Sequence, residues 1–145
     1  MKSFKQIKDL VREHPDTIDV GASASSELIH RAEKYLGVNF PNTLKLYAAT
    51  WGSLAIGPFV YYGIVESNFE ESKVPDGVWF TAKKRSILGL PKNLFVIFNN
   101  EGDEFHCMDL ETEEIKSWDT SQRKIVAVKS SNIFDYILEE SAEYI

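Results

Sequence analysis

The sequence is short of the features that most often declare a chemistry. It holds a single cysteine, Cys107, among 145 residues, which excludes an internal disulfide and any cysteine-based zinc cluster. Its three histidines, His14, His30 and His106, lie far apart, with no His-Glu-x-x-His or Cys-x-x-Cys spacing, so a metal site has no signature. The glycines at 52, 57 and 63 follow neither a Walker nor a dinucleotide-binding pattern, and no Lys-Ser/Thr pair follows them to hold a phosphate. The longest weakly polar stretch, Leu54 to Val65, is broken by Gly57 and Pro58 and falls short of the ~20 residues of a membrane-spanning helix. The first residues are charged at short intervals and contain no apolar stretch of signal-peptide length. These absences lead to the expectation of a cytoplasmic protein with no cofactor, no metal and no membrane association.

Basic clusters are scarce as well. Lys83-Lys84-Arg85 is the only basic run, and three charges on a helix are more commonly a solvated face than a nucleic-acid patch. A formal net charge of −6 and a pI near 5.1 oppose direct nucleic-acid binding, which depends on clustered Lys and Arg.

What is present is an ordinary globular composition, 43% hydrophobic and 26% charged, with nine Phe, six Tyr and three Trp. That much apolar surface offsets chain entropy and argues against disorder. The length suits a single domain spanning residues 1–145. Charge is unevenly spread. Residues 1–98 carry 12 bases and 10 acids, whereas residues 99–119 carry eight acids against Lys116 alone.

The periodicity predicts helices first. Ser3 with Gln6 resembles a capping box, with Phe4, Ile7 and Val11 at helical spacing up to His14-Pro15. Ser23 or Ser25 begins a second helix with Leu28, Ala32, Tyr35 and Leu36 on one face and Gly37 as its cap. Pro41 suits the first turn of a third, with Leu44, Tyr47 and Ala48 buried and Gly52 its stop. Phe59 to Val65 reads as a strand, and residues 77–88 as a helix carrying Val78, Trp79, Ala82 and Ile87. Leu94 to Phe98 is a continuous apolar run expected of a buried strand. It turns through Asn99-Asn100-Glu101-Gly102 into Phe105 to Leu110 as a hairpin. Strands over Ile115 to Trp118 and Ile125 to Val128 follow, then a last helix capped within Ser130–Asn132 and bearing Ile133, Phe134, Ile137 and Leu138. The order is α+β: N-terminal helices packed on a mainly antiparallel sheet, with a closing C-terminal helix.

No catalytic constellation emerges. His106 and Cys107 are neighbours, but adjacent strand residues face opposite ways and cannot form a thiol–imidazole dyad. The acidic stretch fails as an EF-hand, because placing Gly102 at the sixth loop position puts Ile97 at the first, where an oxygen ligand is required. The expectation is a binding protein and not an enzyme.

A set of short motifs, in order, resembles a known family. Ser26-Glu27-Leu28-Ile29 through Ala32-Glu33, Leu36-Gly37-Val38 and Phe40-Pro41 is similar to the opening signature of the SUKH superfamily. Leu44, Tyr47, Trp51 and Gly52 fill its next helix and turn, with Trp51-Gly52 where the family usually has Asn-Gly. Tyr62-Gly63-Ile64, Leu94 to Phe98, Gly102-Asp103 with Phe105, Cys107, Asp109 and Leu110, and the Phe134 to Leu138 helix complete it. The resemblance runs from about residue 20 onward, and the first twenty residues match poorly.

That superfamily includes fungal cell-wall-assembly regulators and many bacterial immunity proteins. The resemblance implies an antitoxin that binds the toxin domain, commonly a basic nuclease, of a secreted polymorphic toxin. The alternative is a non-catalytic regulatory scaffold binding endogenous proteins, and a homo-oligomer is left open. Candidate partner-binding acids are Asp103, Glu104, Glu111, Glu113 and Glu114, with Glu66, Glu70 and Glu71 as a second patch. Candidate aromatic anchors are Trp51, Tyr61, Tyr62 and Phe69, since interface hot spots favour such side chains. The acidic segment is expected to place one edge of the sheet against a basic partner.

Overall fold

The computed structural model describes residues 1–66 and 68–145. The chain runs α1 (Lys2–Glu13), β1 (Ile18–Val20), α2 (Ser26–Leu36), α3 (Asn42–Trp51), β2 (Leu54–Ile56), β3 (Phe59–Tyr61) and α4 (Gly77–Leu88). It continues through β4 (Leu94–Asn100), β5 (Glu104–Asp109), β6 (Ile115–Asp119), β7 (Lys124–Ser130) and α5 (Ile133–Glu140), then a 3₁₀ turn over Ala142–Tyr144. Helices and two antiparallel sheets, ordered β1-β2-β3 and β4-β5-β6-β7, make the α+β class.

Local chemistry sets most helix ends. Ser25 accepts a hydrogen bond from the Leu28 N–H, and Gly37 closes α2 at φ 68°, the left-handed region that glycine enters without a Cβ clash. Asn132 accepts from the N–H groups of Phe134 and Asp135 at the start of α5. The Ser3/Gln6 capping box does not form, because α1 begins at Lys2 and Ser3 already lies buried inside its first turn. Pro41 sits just outside α3 in extended conformation and has no side-chain acceptor to offer. In α4 the bounds match the periodicity, but the buried residues are Gly77, Val78, Phe80 and Thr81, and Ile87 is 63% exposed.

The small sheet was not legible as a sheet. β1 pairs with β2 (Ile18 opposite Ile56), and β2 with β3 (Leu54 opposite Tyr61). The strand expected to reach Val65 stops at Tyr61, because the chain turns to bridge its neighbours. The Tyr62 N–H donates to the Ile97 carbonyl at 2.6 Å, and the Ile64 N–H to the Gly52 carbonyl at 3.1 Å. A Cβ on Gly63 would collide with the Gly52 carbonyl, and one on Gly52 with the Ala22 carbonyl. Glycine is required wherever backbones approach this closely.

The large sheet separates two apolar clusters, as strand alternation demands. Phe95, Ile97, Met108 and Ile115 face the larger one, with α1, α3 and α5. Leu94, Val96, Phe105, Cys107 and Trp118 face the smaller one, with Phe80 of α4. A register irregularity between Val96 and Phe98 breaks the alternation. Phe98 therefore joins Ile97 against the larger cluster, its ring 5.8 Å from Phe59. Arg85 ties α4 to α2, donating to the Leu36 and Lys92 carbonyls at 2.7 Å each.

Candidate functional site

The acid concentrated in residues 99–119 is divided by the fold. In a meander, successive turns fall at alternate ends of the sheet. Glu101, Asp103 and Glu104 at the β4–β5 turn and Asp119 at the start of the β6–β7 turn share one end. There the Thr120 hydroxyl lies within hydrogen-bonding distance of the Gly102 and Asp103 carbonyls (2.8 and 3.0 Å), holding the two turns together. Asp109, Glu111, Glu113 and Glu114 lie a strand's length away, roughly 17 Å, at the other end. The expectation of one acidic edge is corrected: there are two acidic ends.

Several of these acids are occupied inside the protein. Glu113 accepts from the Thr43 N–H (3.2 Å) and hydroxyl (2.8 Å), supplying α3 with the N-terminal acceptor that Pro41 lacks. Glu104 accepts from the Ser117 hydroxyl at 2.7 Å. Asp109 accepts from the Lys116 ammonium (2.8 Å) and the Glu111 N–H (2.9 Å), and Glu114 lies 3.7 Å from the same ammonium. Burial alone would raise the Asp109 carboxyl, but Lys116 and the neighbouring donors reverse this and hold it below its usual range. Glu101, Asp103 and Glu111 remain exposed.

The aromatic anchors are placed differently from the expectation. Trp51 is in the core beside Phe4, Tyr47 and Phe134. Tyr61 is buried with its hydroxyl on Ser141, and Tyr62 packs 5.1 Å from Phe80. Phe69 is also buried, its ring 5.1 Å from Tyr35. These four are corrected from surface anchors to core, because their rings fill the two clusters or the floor beneath Tyr35.

The structure instead brings other aromatics to the second acidic patch. Tyr35, 43% exposed, and half-buried Trp79 stand over Phe69 beside exposed Glu70 and Glu71. They line an open groove of about 440 Å³ between α2 and α4, with Lys83 on its rim. Exposed Glu66 precedes this turn. A smaller groove, about 340 Å³, is lined by Phe59, Val60, Tyr62 and Phe98 and rimmed by Glu101. Sequence spacing put Tyr35 on the buried face of α2. The buried stripe is Ile29, Ala32 and Leu36, which leaves Tyr35 on its shoulder. An aromatic wall beside carboxylates suits a guanidinium or ammonium, attracted by ring quadrupole and by charge.

His106 and Cys107 face opposite sides of β5. His106 Nδ1 and the Tyr136 hydroxyl are 2.5 Å apart beneath α5. Burial holds the imidazole below its ordinary value; Lys129 adds to this, and Glu140 and Glu104 oppose it. Cys107 is buried in the other cluster, and burial pushes its thiol well up, away from the reactive thiolate form. Among the described residues no group of three or more His, Cys, Asp or Glu is placed to hold a metal ion.

With this geometry in place, comparison with known proteins is decisive for family. The family model SUKH_5, described as SMI1-KNR4 cell-wall, matches residues 2–142. The chain belongs to this SUKH family. The match includes α1, correcting the view that the first twenty residues lie outside it. The reason is packing: Ile7 of α1 belongs to the same apolar cluster as Ile133, Phe134 and Ile137 of α5. A similar fold is also seen in a crystal structure of a protein from Pseudomonas syringae pv. tomato. That structure has a TM-score of 0.70 over 92% of this chain and 96% of that one, at 11% identity, a likeness of fold alone. No curated protein matches the sequence. Among the described residues no helix is long and apolar enough to cross a membrane.

Proposed function

We propose that this SUKH protein is an immunity protein that binds and neutralises the toxin domain of a secreted polymorphic toxin, a nuclease with a basic active-site face. Family membership supports a protein-binding role. The observation that carries the finer reading is the groove where Glu70 and Glu71 meet Tyr35 and Trp79. A basic side chain of the toxin would enter it, held without covalent chemistry. The exposed acids at the sheet ends, Glu101, Asp103 and Glu111, would steer the approach, since charge complementarity acts chiefly on association rate. Glu104, Glu113 and Glu114 contribute to the field while serving internal contacts. Binding takes place in the cytoplasm of the producing cell, before the toxin is exported.

The test is co-expression with the adjacent toxin gene, scored for growth, then kinetics on the purified pair. Glu70→Lys with Glu71→Lys should cut the association rate by roughly tenfold and flatten its salt dependence. Glu101→Lys with Asp103→Lys should have a smaller effect of the same sign. Rescue with unchanged rates in both variants would discard these surfaces while keeping the function. No rescue would discard the function. The cell-wall description of the family model favours, as a second reading, a regulatory scaffold for endogenous proteins. Recovery of such partners in a strain lacking any toxin gene would select it.

A further inference from the structure

We propose that β7 is a docking edge for an extended, acidic segment of another protein, which adds to the large sheet as a fifth strand. The inference is independent of what the acidic grooves bind. β7 is the last strand of its sheet and pairs with β6 alone. Among the described residues, no hydrogen bond outside the β6–β7 ladder reaches the backbone of residues 124–130. An open strand edge is a row of unpaired donors and acceptors, a template for another chain.

The side chains make this edge unusual. A strand with one solvated face should alternate apolar and polar residues. β7 instead presents Ile125-Val126-Ala127-Val128 without interruption, and Ile125, Val126 and Val128 are 39%, 43% and 59% exposed. Neither charge nor proline interrupts the run. At its ends stand Arg123, Lys124 and Lys129, three of the four bases found after residue 98. The otherwise acidic C-terminal half is locally basic at this strand alone. Lys129 is partly engaged, 3.7 Å from Glu140 on α5.

Charge decides the occupant. In antiparallel self-pairing, the register that matches apolar residues sets Ile125 against Val128 and Val126 against Ala127. The same register sets Lys124 of one copy against Lys129 of the other at both ends, and like charges directly opposed are unfavourable. Lysines at strand ends are a common guard against edge-to-edge association of identical chains. They become favourable contacts when the incoming strand carries Asp or Glu at its ends and β-branched residues between.

The experiment uses the full chain and a short synthetic peptide of alternating valine and threonine bracketed by glutamates, with a lysine-bracketed peptide as control. Amide exchange and chemical shifts are followed by NMR. The acidic peptide should slow exchange across residues 124–130, weaken as salt rises, and leave α2 and α4 unmoved. The lysine peptide should not bind. Lys124→Gln with Lys129→Gln should reduce affinity roughly tenfold, with at most the small loss of stability expected from the Lys129–Glu140 pair. Equal binding of both peptides, no protection at β7, or protection that grows with protein concentration in the absence of peptide would each overturn the proposal; the last would mean that a second copy occupies the edge.

Discussion

β4 and β7 are the two outer strands of one sheet, and each carries a short apolar run, Leu94 to Phe98 in one and Ile125 to Val128 in the other. Their fates differ. β4 is buried over Leu94–Ile97, whereas β7 is exposed along all but its last residue. β4 is covered because its outward groups are taken: the Val96 N–H donates to Thr81 of α4 at 3.0 Å, and the Ile97 carbonyl accepts from Tyr62. Gly77 lets the start of α4 lie against the Phe95 ring and the Val96 carbonyl, where a Cβ would not fit. Among the described residues, β7 has no such cover on its outer edge. Similar runs of apolar residues thus acquire opposite surroundings, and the cause lies in the helix and crossing segment placed over one of them.

The largest test removes β4's cover at its root. Gly63→Ala should destabilise by about 4 kcal/mol or more, the level of a severe backbone conflict, read as loss of soluble protein or a collapsed urea midpoint. Next, Phe95→Ala should cost about 3–5 kcal/mol, whereas Val128→Ala on the open edge should stay within about 0.5 kcal/mol. Comparable losses in the two urea curves would erase the distinction. Thr81→Val should cost about 1–3 kcal/mol, because it strands a buried N–H.

The sheet's middle gives the contrast a pH dependence, since β5 is covered on both faces. The folded His106 imidazole titrates below its ordinary value, so the stability due to its neutral form is complete above about pH 6.5 and is lost as pH falls. Urea midpoints should decline as pH falls below about 6.5, less steeply in His106→Gln. Asp109, also held low, adds a separate loss below about pH 4. A similarly small effect is expected at Lys129→Ala, where the partly exposed pair with Glu140 contributes less than about 1 kcal/mol and fades with salt.

The parts of the fold legible in the sequence were those governed by nearby residues. Gly37, Gly52, Asn132 and the apolar spacing marked helix ends, and Asn99 to Gly102 marked a hairpin. What was missed depends on distant ones. Three-residue strands such as Ile18–Val20 are too short to show alternation, and the crossing of Gly63 over Gly52 exists only in three dimensions. The site was less legible for the same reason. A run of acids is visible in sequence, but a meander sends its turns to opposite ends, and Glu113 is drawn to a helix far along the chain. Trp51, Tyr61, Tyr62 and Phe69 look like anchors until their neighbours are known. Tyr35 and Trp79 look like core until the helix faces are fixed.

The Glu113 contact with Thr43 bears on the order of assembly during synthesis. Its partners are separated by 70 positions, so α3 emerges from the ribosome without its N-terminal acceptor and keeps loose first-turn amides until the β5–β6 turn has been made. That contact waits on the later strands, because it joins residues distant in sequence. Exchange at the Thr43 amide should therefore report the opening of a turn in the opposite half of the chain.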